Sequence, residues 1–109
     1  MLLTILDGLG AQQKIIAKGQ EAVTDHSGAI AATGVAEVML VANLLRSGFA
    51  LQNCGASPMY VNDLGVATTG VGSFKVAPGA FFPPEGYPVS TGAISILGTI
   101  NDVFTVREW

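Results

Sequence analysis

The feature that most constrains this chain is its punctuation. Glycine beside a small polar residue or a proline interrupts the sequence every eight to twelve residues, so no regular element can be long. The segments between these breaks alternate apolar and polar residues or form short apolar runs, which is the rhythm of short strands. Ser47-Gly48-Phe49-Ala50-Leu51-Gln52-Asn53 puts Phe49 and Leu51 on one face and Gln52 on the other, then stops at Asn53-Cys54-Gly55. Met59-Tyr60-Val61-Asn62 alternates again and ends at Asp63-Leu64-Gly65. Beyond the small, flexible run of residues 65–72, Ser73-Phe74-Lys75-Val76-Ala77 points Phe74 and Val76 inward until Pro78-Gly79 closes it.

The remaining segments follow the same logic. Val35-Ala36-Glu37-Val38-Met39-Leu40-Val41-Ala42 is short for a helix and carries three β-branched residues, so it reads as a buried strand, with a helix as the competing reading. Asp7-Gly8 between the apolar residues 2–6 and residues 12–18 is a hairpin signal, and the polar stretch that follows reads as a loop or arm. Residues 93–97 and 103–108 read as a last hairpin around a turn at 98–102, ending on Trp109. About eight strands, no amphipathic helix and no internal repeat predict an all-β chain: a single β-sandwich of jelly-roll or Greek-key type. Residues 1–34 are expected to form an amino-terminal hairpin and arm, and residues 35–109 the sandwich core of one domain.

Charge is where composition enters. Of 109 residues 50% are apolar and 12% charged, with a mean hydropathy of +0.51 and net charge −3. That combination argues against disorder. It also leaves few charges for the surface of a small domain, where roughly a quarter is ordinary. Apolar surface covered by another chain is the expectation, and apolar edge strands that need covering add self-association to it. Gly86 to Asn101 is uncharged, but Pro88, Ser90, Thr91, Gly92 and Gly98 within it do not suit a membrane span. The first residues carry no basic leader or cleavage site, so synthesis in the cytoplasm is expected. A single cysteine, Cys54, gives no internal disulfide framework. Five basic residues scattered among eight acids give no footprint for nucleic acid.

No pattern assembles into a catalytic site. His26 is the only histidine and Cys54 the only thiol. No G-x-S-x-G elbow surrounds any serine. Gly70-Val71-Gly72 lacks the rest of a phosphate loop, and zinc lacks ligands. Asn62, Asp63 and Asp102 sit in turns, which those residue types favour on backbone grounds alone. His26 reads as a solvated loop residue, and Arg46 as a structural base that pairs with an acid or with loop carbonyls. No catalytic residue, cofactor or metal is therefore expected. Two features suggest contacts instead: Phe81, Phe82, Pro83, Pro84 and Tyr87 in a proline-stiffened surface loop, and Trp109. The competing reading is that the rings cap the sandwich core and that Trp109 locks the last strand.

Several stretches resemble small virion proteins of tailed bacteriophages. They are Ala42-Asn43, Arg46-Ser47-Gly48-Phe49, Pro58-Met59-Tyr60-Val61, residues 72–79, Ser90-Thr91-Gly92-Ala93-Ile94-Ser95 and residues 104–109, together with the opening Leu3-Thr4-Ile5-Leu6-Asp7-Gly8-Leu9-Gly10. The resemblance implies a non-enzymatic cement, decoration or staple protein of the capsid. It would bind the major capsid protein, bridge its subunits in the virion as a homodimer at two-fold positions or a trimer at three-fold ones, and contact neither nucleic acid nor membrane. The alternative is a receptor- or glycan-binding module of a head fibre or tail, using the same aromatic loop.

Overall fold

In the computed structural model, which describes residues 22–109, each of the alternating segments is a strand. The strands are β1 (Thr24–Asp25), β2 (Gly28–Ala29), β3 (Glu37–Leu40), β4 (Phe49–Asn53), β5 (Met59–Asn62), β6 (Phe74–Val76), β7 (Phe81–Phe82), β8 (Ile94–Leu97) and β9 (Val103–Glu108). One sheet runs β1-β9-β4-β7 with β2 also on β9, and the other runs β3-β8-β5-β6. All pairings are antiparallel.

The pairing has a simple description. β1 and β2 meet β9 in one unbroken register, Thr24 opposite Glu108 and Ala29 opposite Val103, so together they act as a single edge strand. Between them Ser27 Oγ accepts the Val106 N–H at 3.1 Å, and the His26 N–H donates to the Val106 carbonyl at 2.9 Å. The chain is then one long hairpin, pairing β1 and β2 with β9, β3 with β8, β4 with β7 and β5 with β6. Rolling that hairpin brings β9 against β4 and β8 against β5. This strand order is a jelly roll, so the expected sandwich is the observed one.

The inward faces fill the space between the sheets. Leu51 and Val106 from one sheet meet Met59, Val61, Ile94 and Ile96 from the other, all fully buried. Each such side chain contributes about 1.5–3 kcal/mol relative to exposure.

Five local expectations need correction. β8 and β9 are not a hairpin, because they lie in different sheets. Gly98 packs on Ile30 and Met59, Asn101 adopts a positive φ of 72°, and the backbone of Ile30 bonds to both Asp102 and Asn101, which carries the chain across. The sandwich begins before residue 35, since β1 and β2 belong to it and Ile30 is core; the hairpin expected at residues 2–18 lies outside the described residues. Residues 81–82 are a strand on β4 rather than loop. Phe74 shares the inward face of β6 with Val76 but stays partly exposed, because it sits at the end of an edge strand. The segment around β3 is a strand with an irregularity between Val38 and Leu40, not a helix, but it is not the buried strand expected over residues 35–42: β3 is four residues at a sheet edge, so Val35, Val38 and Val41 are exposed and only Met39 and Leu40 are buried.

Rolling also sorts the connections. Residues 41–48, 63–73 and 83–93 all turn at the end of the sandwich where β1 begins and Trp109 lies. Residues 30–36, 54–58, 77–80 and 98–102 turn at the far end.

Candidate interaction surface

The Trp109 end is organised by one buried cation. Arg46 follows Asn43, whose carbonyl accepts the Arg46 N–H, and this turn sends the side chain beneath the loops, where it is wholly buried. Its Nε donates to Glu108 Oε1 at 2.7 Å. One terminal nitrogen donates to the Ser90 and Gly92 carbonyls at 2.7 and 2.9 Å, and the other to the Val41 carbonyl at 2.6 Å. The planar fork thus ties β9 to two loops, which a lysine's single point of charge does not match. The sequence reading of Arg46 offered an ion pair or loop carbonyls; the side chain makes both.

Glu108 completes the network. Burial works to raise its pKa, but the hydrogen bond and charge of Arg46, with help from Asn43 and His26, outweigh that and hold the carboxyl below its ordinary value. His26 Nε2 lies 2.9 Å from Glu108 Oε2, so this residue is anchored on the edge strand rather than being a free loop side chain.

A second tie crosses the loops. Tyr87 donates its hydroxyl to buried Asp63 Oδ2 at 2.9 Å, and Ser90 donates to the Asp63 carbonyl at 3.0 Å. The Asp63 carboxylate raises the Tyr87 pKa by favouring the protonated phenol. Beneath this tie the Phe82 ring lies 4.9 Å from Phe74, 5.6 Å from Tyr87 and 6.1 Å from Phe49, centroid to centroid. Such aromatic contacts add about 0.5–1.5 kcal/mol each beyond area burial. Residues 65–72 are likewise held rather than loose at their start: Ala67 is buried and its N–H donates to Ser95 Oγ.

Trp109 extends the β4–β9 ladder. Its N–H and carbonyl both bond to Gly48 at 3.0 Å, and its indole lies so close over Gly48 that a Cβ there would stand 2.8 Å from the ring. Glycine is needed at position 48 for this approach. Trp109, Pro83, Pro84 and Tyr87 line one shallow groove with Ser47 and Phe49.

The candidate contact residues therefore divide. Pro83, Pro84, Tyr87 and Trp109 come together at one end, though Tyr87 and Trp109 are half-buried. Phe82 is 4% exposed and belongs to the core, so its place in a contact loop is corrected: its inward position on β7 decides the matter. Phe81, 67% exposed, points to the outer face of the sheet, away from that groove's lining.

The largest apolar exposure lies elsewhere at the same end. Among the described residues, the loops of the Trp109 end expose Val41, Leu44, Leu45, Leu64, Val66, Val71 and Val89, whereas the far-end loops expose only Val35 and Ile100 among large hydrophobics. Glu85 is the one exposed charge in those three loops, because Arg46 and Asp63 are buried. Residue-pattern reasoning overlooked these leucines and valines. The available signal was Leu44-Leu45, Leu64 and Val66 standing in segments with no period to bury them.

Chemistry is sparse around this surface. No cluster of three or more His, Cys, Asp or Glu suited to a metal is present among the described residues, and no described helix is long and apolar enough to cross a membrane. Asn62 bonds its own turn, accepting from the Leu64 N–H and donating to the Val66 carbonyl, and Asp102 accepts the Ser57 N–H. Cys54 is exposed beside Gln52 and Thr105, at the opposite end from the only histidine's partner Glu108. Comparison with known proteins finds no family model, no curated protein and no solved structure that matches the chain.

Proposed function

We propose that this chain is a non-enzymatic virion structural protein that stabilises a phage capsid by bridging major capsid protein subunits through its Trp109 end. The observation that carries the reading is the gathering of exposed large apolar side chains into three loops with a single exposed charge. A monomer seldom leaves such a patch uncovered. The virion itself enters through the sequence resemblance. The fold alone does not choose between a capsid and a carbohydrate-binding role, since jelly rolls serve in both.

Physics supports clamping at this end. The loops are tied by Arg46 and Asp63, so little ordering is left to be lost on docking. A stable interface buries about 1,200–2,000 Å² in total. Self-association at a symmetric position of the shell would extend such a surface.

The test is sedimentation with shells assembled from the phage's major capsid protein. Leu44→Asp with Leu64→Asp is expected to weaken shell binding at least tenfold, while Ile100→Asp at the far end leaves it unchanged. Equal effects at both ends, or no shell binding by the natural chain, would refute the reading. Saturable binding of a saccharide without shell binding would favour the glycan-binding alternative.

A further inference from the structure

One charge stands open on the loops of the Trp109 end. Glu85 follows Pro83-Pro84 and lines the groove of about 300 Å³ in which Trp109 and Tyr87 also stand. It is exposed and has neither a hydrogen bond nor an ion pair among the described residues. The described bases are placed otherwise: Arg46 is buried on Glu108, Arg107 is held by Asp25 at 2.9 Å, and Lys75 stands on the outer face of the β3-β8-β5-β6 sheet. His26 meets Glu108. Tyr87 and Val89 belong also to the neighbouring hollow that contains Leu64, so the groove is continuous with the exposed apolar side chains of these loops. On a surface that stays in water, such a lone acid needs no counterpart.

A surface that is to be covered is another matter. Closing a neutral partner over an ionised carboxylate strips its water and returns nothing, whereas a cation on the partner restores the lost interaction. The walls of the groove narrow the choice of cation. Tyr87 is fixed by its bond to Asp63 and Trp109 by its ladder bonds to Gly48, so two half-buried aromatic rings and two proline rings are already in place beside Glu85. A guanidinium lies flat against rings and forks to a carboxylate through two N–H groups, while an ammonium has no plane to stack and no fork to match. We propose that this groove receives an arginine side chain of the docking partner, its guanidinium paired with Glu85 and its stem against Trp109 and Tyr87. The inference rests on docking through the Trp109 end and adds the chemistry that the partner must present there.

Two measurements on the full-length chain keep the proposal distinct from that reading. The emission of the single tryptophan is followed on titration with N-acetyl-arginine amide and with the neutral, nearly isosteric N-acetyl-citrulline amide. The arginine probe is expected to bind at least tenfold more tightly, and Glu85→Gln to remove the difference. Equal affinities in the natural chain, or no binding of either probe, would overturn the proposal. In sedimentation with shells, Glu85→Gln should weaken binding at least fivefold and make it less sensitive to salt. Shell binding that Glu85→Gln leaves unchanged overturns the arginine seat and leaves the docking reading intact. An arginine preference in a chain that binds no shell supports the seat and refutes docking to that shell.

Discussion

Replacing Arg46 by Met removes the cation while keeping most of its volume beneath the loops. Glu108 then remains buried without its guanidinium partner, keeping only the contacts of His26 and Asn43, and the carbonyls of Val41, Ser90 and Gly92 lose their donor. Breaking one partner of a buried pair costs about 3–5 kcal/mol, because the other charge is left without its main counter-charge, and the remaining His26 and Asn43 contacts put Glu108 at the lower end of that range. The carbonyls lie in loops that water can reach on slight opening, so their loss is folded into that range rather than added to it. Small domains are stable by about 5–15 kcal/mol, so Arg46→Met removes a large share. At about 4–8 °C per kcal/mol, the melting temperature should fall by at least ~12 °C. Glu108→Leu alone should cost a similar amount by stranding the Arg46 guanidinium.

The double variant separates the pair from its surroundings. With both charges gone, no buried ion is stranded, and Arg46→Met/Glu108→Leu should be more stable than the sum of the single losses by about 2 kcal/mol or more. Urea denaturation of all four proteins gives this coupling directly. Additivity within about 0.5 kcal/mol, or a cost below ~1 kcal/mol for Arg46→Met, would refute the account of Arg46 as the tie between β9 and two loops. Arg107→Met is the control, since the Arg107–Asp25 pair is open to solvent and its loss should leave the urea midpoint nearly unchanged.

Other consequences follow from the same end of the molecule. Glu108 has a depressed pKa in the folded chain, so its stabilising effect is complete above the unfolded glutamate pKa of about 4.3 and is lost as pH falls through its lower folded value. Acid denaturation followed by circular dichroism should therefore steepen below that range, and Glu108→Gln should flatten the slope. Gly48→Ala puts a Cβ into the Trp109 indole, so the emission of the chain's single tryptophan should shift to longer wavelength as the ring is displaced. Phe82→Ala should cost about 3–5 kcal/mol in urea denaturation, as a core ring does, whereas Phe81→Ala should stay within about 0.5 kcal/mol.

The strands that could be read in the sequence are those whose two faces differ. β4 alternates Phe49, Leu51 and Asn53 inward with Ala50 and Gln52 outward, and β5 does the same, because each lies in the interior of a sheet over a core. β1 and β2 are all exposed and pair on one side only, so Thr24-Asp25 and Gly28-Ala29 carry no alternation to find. β7 is two residues long and runs straight into Pro83-Pro84, which masks it. The crossing at residues 98–102 was illegible for another reason: a short turn serves a hairpin or a sheet change equally, and what selects here is the packing of Ile30 and Met59 on Gly98. Arg46 stood out as a lone base in an apolar stretch, but its partner Glu108 lies 62 residues away and nothing local points to it.

The same distant pairing explains why an apolar surface forms at one end and not the other. In this roll the three longest connections and the start of β1 turn beside Trp109, so loop length accumulates there, while the far end is closed by short turns rich in Gly and Ala. Long loops exposing leucine and valine would ordinarily be poor contact surfaces, since docking would have to order them at about 0.5–1.5 kcal/mol for each immobilised side chain, besides the backbone. Here the polar groups run inward: Arg46 and Asp63 bond loop to loop and loop to strand from beneath, with Glu108 as the counter-charge. The residues that hold the loops still are thus the ones whose charge is withdrawn from the surface. Stiffness and apolarity at this end have a common origin, and Arg46→Met should reduce binding to any partner of the Trp109 end even at temperatures where the sandwich remains folded.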